Sequence, residues 1–192
     1  MSKAAKAPFT VFLDRDGVLC KAPRIFLRRA SRWVWLPGAK EAVARLNRDG
    51  IRICLATNQP FVGVGLLSRR HLERLHAWML EEIRAAGGRI DRVEYADRAF
   101  GRRHKPRPGM LEDGGSALGT DPARSVMVGD NLKDADAGRR YGARTLLLAT
   151  THRRASLEDG VRKNGWDTPI VGSLLEASDL ILAMAGFQPK SP

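Results

Sequence analysis

The sequence is poor in cysteine and has no long apolar run. Its two cysteines, Cys20 and Cys54, supply neither a disulfide framework nor a metal-ligand cluster, which favours a reducing compartment. No apolar run approaches the ~20 residues that a membrane-spanning helix needs. The first nine residues, MSKAAKAPF, lack the apolar stretch of a secretory signal. We therefore expect a cytoplasmic protein with no membrane partner.

Acidic residues are scarce relative to basic ones. The 192 residues include 33 Lys and Arg against 21 Asp and Glu, a net charge of +12. An excess of this size is typical of proteins that bind an anionic partner, such as a phosphorylated small molecule, a nucleic acid or an acidic surface. The arginines are scattered in pairs, however, and form no basic helix face of the kind nucleic-acid modules show. A compositional bias toward arginine accounts for the charge somewhat better than an anionic partner does, and both interpretations stay open.

Strand-like and helix-like segments alternate along the chain, which predicts an α/β fold with a parallel sheet and helices on both faces. We expect one domain over residues 1–192, with a core at about 8–150, a C-terminal strand and helix within 151–187, and loose ends at 1–7 and 188–192. Residues 150–166 show no clear pattern. The predicted strands are 9–13, 51–56, 92–95, 125–128, 144–148 and 170–171, and the predicted helices are 37–50, 68–86, 108–118, 133–141 and 174–184.

The strongest chemical signal lies in FTVFLDRDGV, residues 9–18. Asp14 and Asp16 follow an apolar, strand-like run, and Gly17 lets the chain turn away at once. Two carboxylates at the end of a strand suit the binding of a hard cation and attack on an electrophile. Taken alone, the pattern also fits a Walker B strand or the acidic pocket of a phospho-receiver.

Three later segments place polar groups where further strands end or helices begin. Thr57, in ATNQP, combines a hydroxyl with loop amides in the manner of a phosphate clamp. Lys105, in HKPRPGM, lies on a proline-rich loop at the entrance of a helix. Asp130 follows the fourth strand, and Asp134 lies one helical turn further on. Because the carboxyl ends of strands in an open α/β sheet converge on one crevice, these groups predict a single site.

The ordered motifs DxD, Thr, Lys and GDxxxD resemble those of the haloacid dehalogenase (HAD) superfamily, in its phosphatase branch, over residues 9–148. The resemblance implies a Rossmann-like parallel sheet. No long insertion follows the first or second motif, so we expect no separate cap domain. The segments FLDRDGV, TNQ, KPRPGM and VGDNLKDADAG are similar to those of the group of phosphatases that contains D-glycero-D-manno-heptose 1,7-bisphosphate phosphatase. Histidinol-phosphate phosphatase and the polynucleotide 3′-phosphatase domain belong to the same group.

The resemblance implies a Mg²⁺-dependent phosphomonoesterase that forms an aspartyl-phosphate. Asp14 would be the nucleophile and Asp16 the general acid and base. Magnesium would be held by Asp14, the backbone carbonyl of Asp16, and Asp130. Asp134 would orient a metal-bound water or support Lys105. The expected contacts with substrate and phosphate are Arg15, Thr57, Asn58, Gln59, His104, Lys105 and Asn131.

The sequence departs from the heptose group just before Lys105. Many members carry a zinc-binding loop of Cys and His there, whereas residues 96–103 read ADRAFGRR, so we expect no structural zinc. His104 and Asn131 stand where the group often has basic residues. The arginines of this loop either replace the lost charge or form a solvated surface, and the sequence leaves both readings open. They are Arg102, Arg103 and Arg107.

The expected function is hydrolysis of a sugar phosphate or bisphosphate such as D-glycero-D-manno-heptose 1,7-bisphosphate, with a small phosphate ester as the partner. Histidinol-phosphate phosphatase and polynucleotide 3′-phosphatase are the alternatives, and the latter keeps a nucleic-acid partner open. The non-enzyme alternative is a phosphate-binding scaffold of the same fold. A homo-oligomer is compatible with the sequence. Residues 21–35 and 61–67 would form the rim of an uncapped site.

Overall fold

The computed structural model describes residues 8–23, 25 and 29–187. Within these residues, six parallel strands form one sheet with the order β3-β2-β1-β4-β5-β6, which confirms the predicted fold class. The strands are β1 (Thr10–Leu13), β2 (Arg52–Asn58), β3 (Arg92–Ala96), β4 (Ser125–Gly129), β5 (Arg144–Leu148) and β6 (Ile170–Val171).

Helices cover both faces of the sheet because its strands are apolar on both sides. Val11 and Leu13 of β1 point into the larger core cluster, together with residues of α1, α2 and α6. Phe12, between them, points to the opposite face and packs with Met110 and Leu111 of α3. The described helices are α1 (Ala39–Arg48), α2 (Arg69–Ala85), α3 (Gly109–Leu118), α4 (Leu132–Tyr141), α5 (Arg154–Lys163) and α6 (Leu174–Ala185).

Helix α2 begins where its sequence predicts. The Ser68 hydroxyl accepts a hydrogen bond from the backbone N–H of His71, which satisfies one of the free donors at the helix start. An apolar stripe along this helix, Leu72, Leu75, Met79 and Ile83, is buried, and the last three residues belong to the larger core cluster. A polar residue, His76, is buried in the same stripe. The helix therefore brings an imidazole into the interior at a position where the apolar periodicity predicts only core.

Two elements differ from the prediction. Residues 150–166, which show no clear pattern, contain α5; this helix buries only Leu157 and Gly160, too few residues for a recognisable apolar stripe. Strand β2 continues two residues beyond its predicted end, to Asn58, because it pairs with β3 as far as Ala96. Thr57 therefore lies on the strand itself.

The ends predicted to be loose, residues 1–7 and 188–192, lie outside the described residues. Among the residues that are described, no helix has both the length and the apolar character needed to cross a bilayer.

Candidate active site

The predicted motif residues meet at the carboxyl edge of the three central strands. Asp14 follows β1, Thr57 lies at the end of β2, and Asp130 follows β4, and these strands are neighbours in the sheet. The backbone N–H of Asp14 donates to the carbonyl of Val128 at 2.9 Å, which extends the pairing of β1 with β4 up to the carboxylate. The edge therefore presents acids and a hydroxyl in one crevice, as strand-end convergence predicts.

Lys105 lies between two of the acids. Its Nζ is 3.1 Å from Asp14 Oδ1 and 2.7 Å from Asp134 Oδ1, and its side chain is 0% exposed. Burial on its own lowers the pKa of this ammonium, but the negative charges of Asp134 and Asp14 outweigh it and raise the pKa above its usual value. Lys105 is therefore a fixed positive charge beside Asp14.

Three carboxylates at this edge form a site that suits a hard cation. Asp14, Asp130 and Asp134 each offer one oxygen, and these oxygens lie within 4.8 Å of one another. Asp134 already uses both of its oxygens, one toward Lys105 and the other as acceptor for the backbone N–H of Asn131 at 3.0 Å. Asp14 and Asp130 are therefore the carboxylates left to bind a metal, and an all-oxygen donor set fits Mg²⁺.

Crowding and burial raise the pKa of both remaining acids. Burial raises the pKa of Asp14 to about 6, although the charge of Lys105 lowers it in part. Burial likewise raises the pKa of Asp130 to about 7, against a hydrogen bond from Thr151 that lowers it. A divalent cation would favour the ionised form of both groups. The donor atoms and their charge thus fit the magnesium that the motifs imply.

Gly17 allows the chain to turn tightly beside Asp130. Its φ is +80°, and a Cβ at this position would lie 2.1 Å from Asp130 Oδ2. The Gly17 carbonyl also accepts a hydrogen bond from the hydroxyl of Thr150, in the segment after β5. A residue without a side chain is therefore required for the DxD loop to approach the fourth strand.

Arg15 and Gln59 hold the Asp16 carboxylate, and the Cys20 thiol lies 3.5 Å from its Oδ1. Arg15 donates from Nε to Oδ1 at 3.1 Å and from Nη2 to Oδ2 at 2.8 Å. Gln59 Nε2 donates to Asp16 Oδ2 at 3.1 Å and to Thr57 Oγ1 at 3.0 Å. Gln59 therefore joins the carboxylate of the first motif to the hydroxyl of the second.

Two predicted phosphate contacts use their side chains in other ways. The Arg15 guanidinium is buried against Asp16, and the residue is 0% exposed, so its side chain does not face the crevice. The Asn58 amide accepts from the backbone N–H of Lys105 at 3.0 Å and donates to the Lys105 carbonyl at 3.1 Å. The Arg15 side chain therefore contacts Asp16 and the Asn58 side chain contacts the Lys105 backbone, while contact of these two residues with phosphate stays a prediction.

The remaining predicted contacts lie at the edge of the crevice. His104 is half-buried, and its Nε2 is 3.2 Å from Asn58 Nδ2. Burial and nearby basic residues lower the pKa of His104, so it stays neutral at neutral pH. Asn131 caps α4 by accepting from the backbone N–H of Lys133, and its Nδ2 is 2.9 Å from His152 Nε2.

The loop arginines are partly neutralised within the protein. Arg103 forms ion pairs with Glu94 and with Asp113, the latter at 3.0 Å, and Arg102 also pairs with Asp113. Arg107 is exposed and donates to a backbone carbonyl. That one of these arginines replaces the basic charge missing at positions 104 and 131 stays a prediction. Arg107 suits this role better than Arg102 or Arg103, because it forms no ion pair with the acids that those two contact.

Sequence reasoning missed the groups that come from elsewhere in the chain. Thr150, Thr151 and His152 follow β5 and contact Gly17, Asp130 and Asn131 respectively. No motif marks them, because they are ordinary polar residues in a segment without a recognisable pattern. Their position just after a strand of the parallel sheet is the only signal available in the sequence.

Comparisons with known proteins identify relatives of this chain. Residues 102–177 match the HAD-hydrolase-like family model. The chain is 33% identical over 152 residues to D-glycero-beta-D-manno-heptose-1,7-bisphosphate 7-phosphatase of Rhodopseudomonas palustris, over 74% of this chain and 84% of that protein. It is 28% identical over 173 residues to the D-glycero-alpha-D-manno-heptose-1,7-bisphosphate 7-phosphatase of Mycobacterium tuberculosis, over 88% of this chain and 91% of that protein.

The fold matches that of a solved relative. The crystal structure of D,D-heptose 1,7-bisphosphate phosphatase from B. bronchiseptica, complexed with magnesium and phosphate, superposes with a TM-score of 0.83 at 29% identity. The match covers 91% of this chain and 98% of that one. The protein is an enzyme, a phosphatase. The chain belongs to the haloacid dehalogenase superfamily and, within it, to the family of heptose-bisphosphate phosphatases.

Proposed function

We propose that this phosphatase hydrolyses a primary phosphate ester of a heptose bisphosphate through an aspartyl-phosphate on Asp14. The observation that carries the proposal is the Asp14 carboxylate at a strand end, 3.1 Å from the buried ammonium of Lys105. The names of the relatives and the magnesium and phosphate in the B. bronchiseptica enzyme support both the reaction and the substrate class.

The first half of the reaction transfers the phosphoryl group to the enzyme. An Asp14 carboxylate oxygen attacks phosphorus, and the bond between phosphorus and the ester oxygen breaks. Asp16 gives its proton to the departing sugar alkoxide, which leaves as the alcohol. Lys105 offsets negative charge on Asp14 and on the transferring group, while Thr57 donates its hydroxyl hydrogen to a phosphoryl oxygen.

The second half releases phosphate. Asp16, now ionised, takes a proton from a water molecule as the water oxygen attacks phosphorus. The bond between phosphorus and the Asp14 oxygen breaks, and the Asp14 carboxylate is restored. A carboxylate is a weak base and leaves readily, so a second step through Asp14 is chemically favourable.

Asp14, Asp130 and the backbone carbonyl of Asp16 would hold a magnesium ion. When bound, the ion reduces the repulsion between the anionic nucleophile and the anionic phosphate. Asp134 supports Lys105 in this scheme, since its two oxygens face the Lys105 ammonium and the backbone of Asn131.

A panel of phosphate esters with Mg²⁺ tests the proposal. The panel contains D-glycero-D-manno-heptose 1,7-bisphosphate in both anomers, histidinol phosphate and an oligonucleotide 3′-phosphate. We expect turnover of the heptose ester by the wild type, loss of turnover in Asp14→Asn, and retention in the matched control Asp167→Asn, an exposed acid. Equal phosphate release by Asp14→Asn and the wild type would refute the mechanism. Preference for another ester would refute the heptose assignment alone.

Two further expectations stay predictions. Metal analysis of the purified protein should find no stoichiometric zinc, because residues 96–103 contain no cysteine. Light scattering during gel filtration measures whether the protein forms a homo-oligomer.

A further inference from the structure

His76 is a buried imidazole on the inner face of α2, and it is 5% exposed. Its Nε2 lies 3.2 Å from Nη1 of Arg15, a residue 61 positions earlier in the chain. The ring also meets Tyr95 edge-on, at 5.9 Å between ring centroids. A buried polar side chain needs a partner, and the partner that His76 has is the guanidinium beside the DxD motif.

The direction of this hydrogen bond follows from the chemistry of arginine. A guanidinium donates hydrogen bonds and accepts none, so His76 Nε2 must be the acceptor. The ring is then neutral, with its proton on Nδ1. Burial and the positive charge of Arg15 lower the pKa of His76 to about 3, so the acceptor form persists at neutral pH.

The guanidinium of Arg15 is therefore held at both ends. Nε and Nη2 donate to the two oxygens of Asp16, and Nη1 donates to His76. Arg15 is 0% exposed, so water does not replace a lost partner without rearrangement. If His76 could not accept, a buried N–H would be left unpaired, and the guanidinium would turn away from the geometry that fits Asp16.

We propose that His76 is a positioning residue for the acid–base step: it fixes Arg15, and Arg15 aims the Asp16 carboxylate at the leaving oxygen. The inference rests on the proposed function, because it takes Asp16 as the general acid. Asp16 is also anchored by Gln59, so the loss of His76 should misplace the carboxylate without removing it from the site. His76 touches no reacting atom and acts only through Arg15.

The proposal predicts a loss that depends on the leaving group. A sugar alkoxide needs a proton as it departs, and general-acid catalysis contributes about 10²–10⁴-fold to such a step. A 2,4-dinitrophenolate departs without a proton. The ratio kcat/KM reports phosphoryl transfer to Asp14, the step at which the leaving group departs. Misplacing Asp16 should therefore lower kcat/KM for the sugar ester and spare kcat/KM for the aryl ester.

The experiment compares His76→Phe, which keeps a ring but cannot accept, with His76→Gln, whose amide oxygen can still accept. D-glycero-D-manno-heptose 1,7-bisphosphate and 2,4-dinitrophenyl phosphate are the two substrates. His71→Phe is the matched control, since His71 is an exposed histidine of the same helix. We expect His76→Phe to lower kcat/KM about 10- to 100-fold for the heptose ester and less than about threefold for the aryl ester. His76→Gln should recover most of the loss, and His71→Phe should match the wild type.

Circular dichroism establishes that each variant is folded. If His76→Phe does not fold, His76→Asn replaces it, because the shorter amide does not reach Nη1 while His76→Gln does. Equal losses on the two esters, or no rescue by glutamine, would overturn the positioning role and leave the proposed function intact. A wild-type protein that hydrolyses neither ester would instead overturn the proposed function, and the inference with it.

Discussion

The burial of His76 predicts a specific loss of stability in mild acid. Burial and the charge of Arg15 lower the pKa of His76 from 6.5 to about 3 in the folded protein, although Asp16 raises it in part. The unfolded chain therefore binds this proton more tightly than the folded one. The stabilisation is fully present above the unfolded pKa of 6.5, and it is lost progressively as the pH falls from there toward 3.

The size of this loss in stability follows from the linkage between proton binding by His76 and folding. Between about pH 7.5 and about pH 5, one histidine with these two pKa values removes about 2 kcal/mol from the free energy of unfolding. The result changes little if the folded pKa is anywhere below about 4, because the folded protein then stays unprotonated over this range. Glutamine at position 76 does not titrate, so His76→Gln removes this contribution while the carboxylates of the site are retained.

Urea denaturation of the wild type and His76→Gln, at a series of pH values and in the presence of a metal chelator, measures the effect. We expect the wild type to lose about 2 kcal/mol more than His76→Gln between about pH 7.5 and about pH 5. Parallel stability curves for the two proteins would mean that His76 titrates normally in the folded state. That result would refute the buried, neutral acceptor on which the contact with Arg15 depends.

Three further substitutions test the geometry of the crevice. Gly17→Ala combines a positive φ with a Cβ placed 2.1 Å from Asp130 Oδ2. We expect the free energy of unfolding in urea to fall by about 1–3 kcal/mol, and Mg²⁺ binding measured by calorimetry to weaken. Unchanged stability and Mg²⁺ binding would contradict the close approach of Gly17 to Asp130. Lys105→Met leaves the buried Asp134 carboxylate without its ammonium partner, so we expect the free energy of unfolding to fall by about 3–5 kcal/mol. Adding Mg²⁺ should raise the melting temperature of this variant more than that of the wild type. A smaller rise than in the wild type would contradict the role of Lys105 in neutralising the carboxylates of the site. Asn58→Ala removes two hydrogen bonds to the Lys105 backbone, and kcat should fall at least about tenfold in steady-state assays; unchanged kcat would show that the loop positions itself.

The sequence was sufficient to predict the strands and the motif residues that follow them. Asp14, Thr57 and Asp130 could be placed because a short apolar run ending in a polar residue predicts both a buried strand and the edge at which it ends. Lys105 could be placed because the prolines beside it mark a loop at a helix entrance. Helix α5 could not be predicted, since it buries too few residues to produce a periodic apolar pattern.

Side-chain direction accounts for the other differences. Arg15 stands between Asp14 and Asp16 in the sequence, but its long side chain turns into the interior and contacts Asp16 and His76. The Asn58 amide turns toward the Lys105 loop and not toward the crevice. The position of a residue along a strand indicates where its Cα lies, whereas the contacts of a flexible polar side chain depend on elements distant in the chain. The contact between His76 and Arg15 spans 61 residues and has no local signature.

Covalent phosphorylation of Asp14 is the most direct test of the mechanism. The experiment mixes the enzyme with the heptose ester and Mg²⁺, quenches in acid within milliseconds, and locates the phosphoryl group by peptide mass spectrometry. With 2,4-dinitrophenyl phosphate, whose leaving group needs no proton, the Asp16→Ala variant should accumulate the intermediate, because it lacks the base that activates water. The account predicts an acyl phosphate on the peptide that contains Asp14, and none in Asp14→Asn. Phosphate on another residue, or turnover with no covalent phosphate in either the wild type or Asp16→Ala, would contradict it.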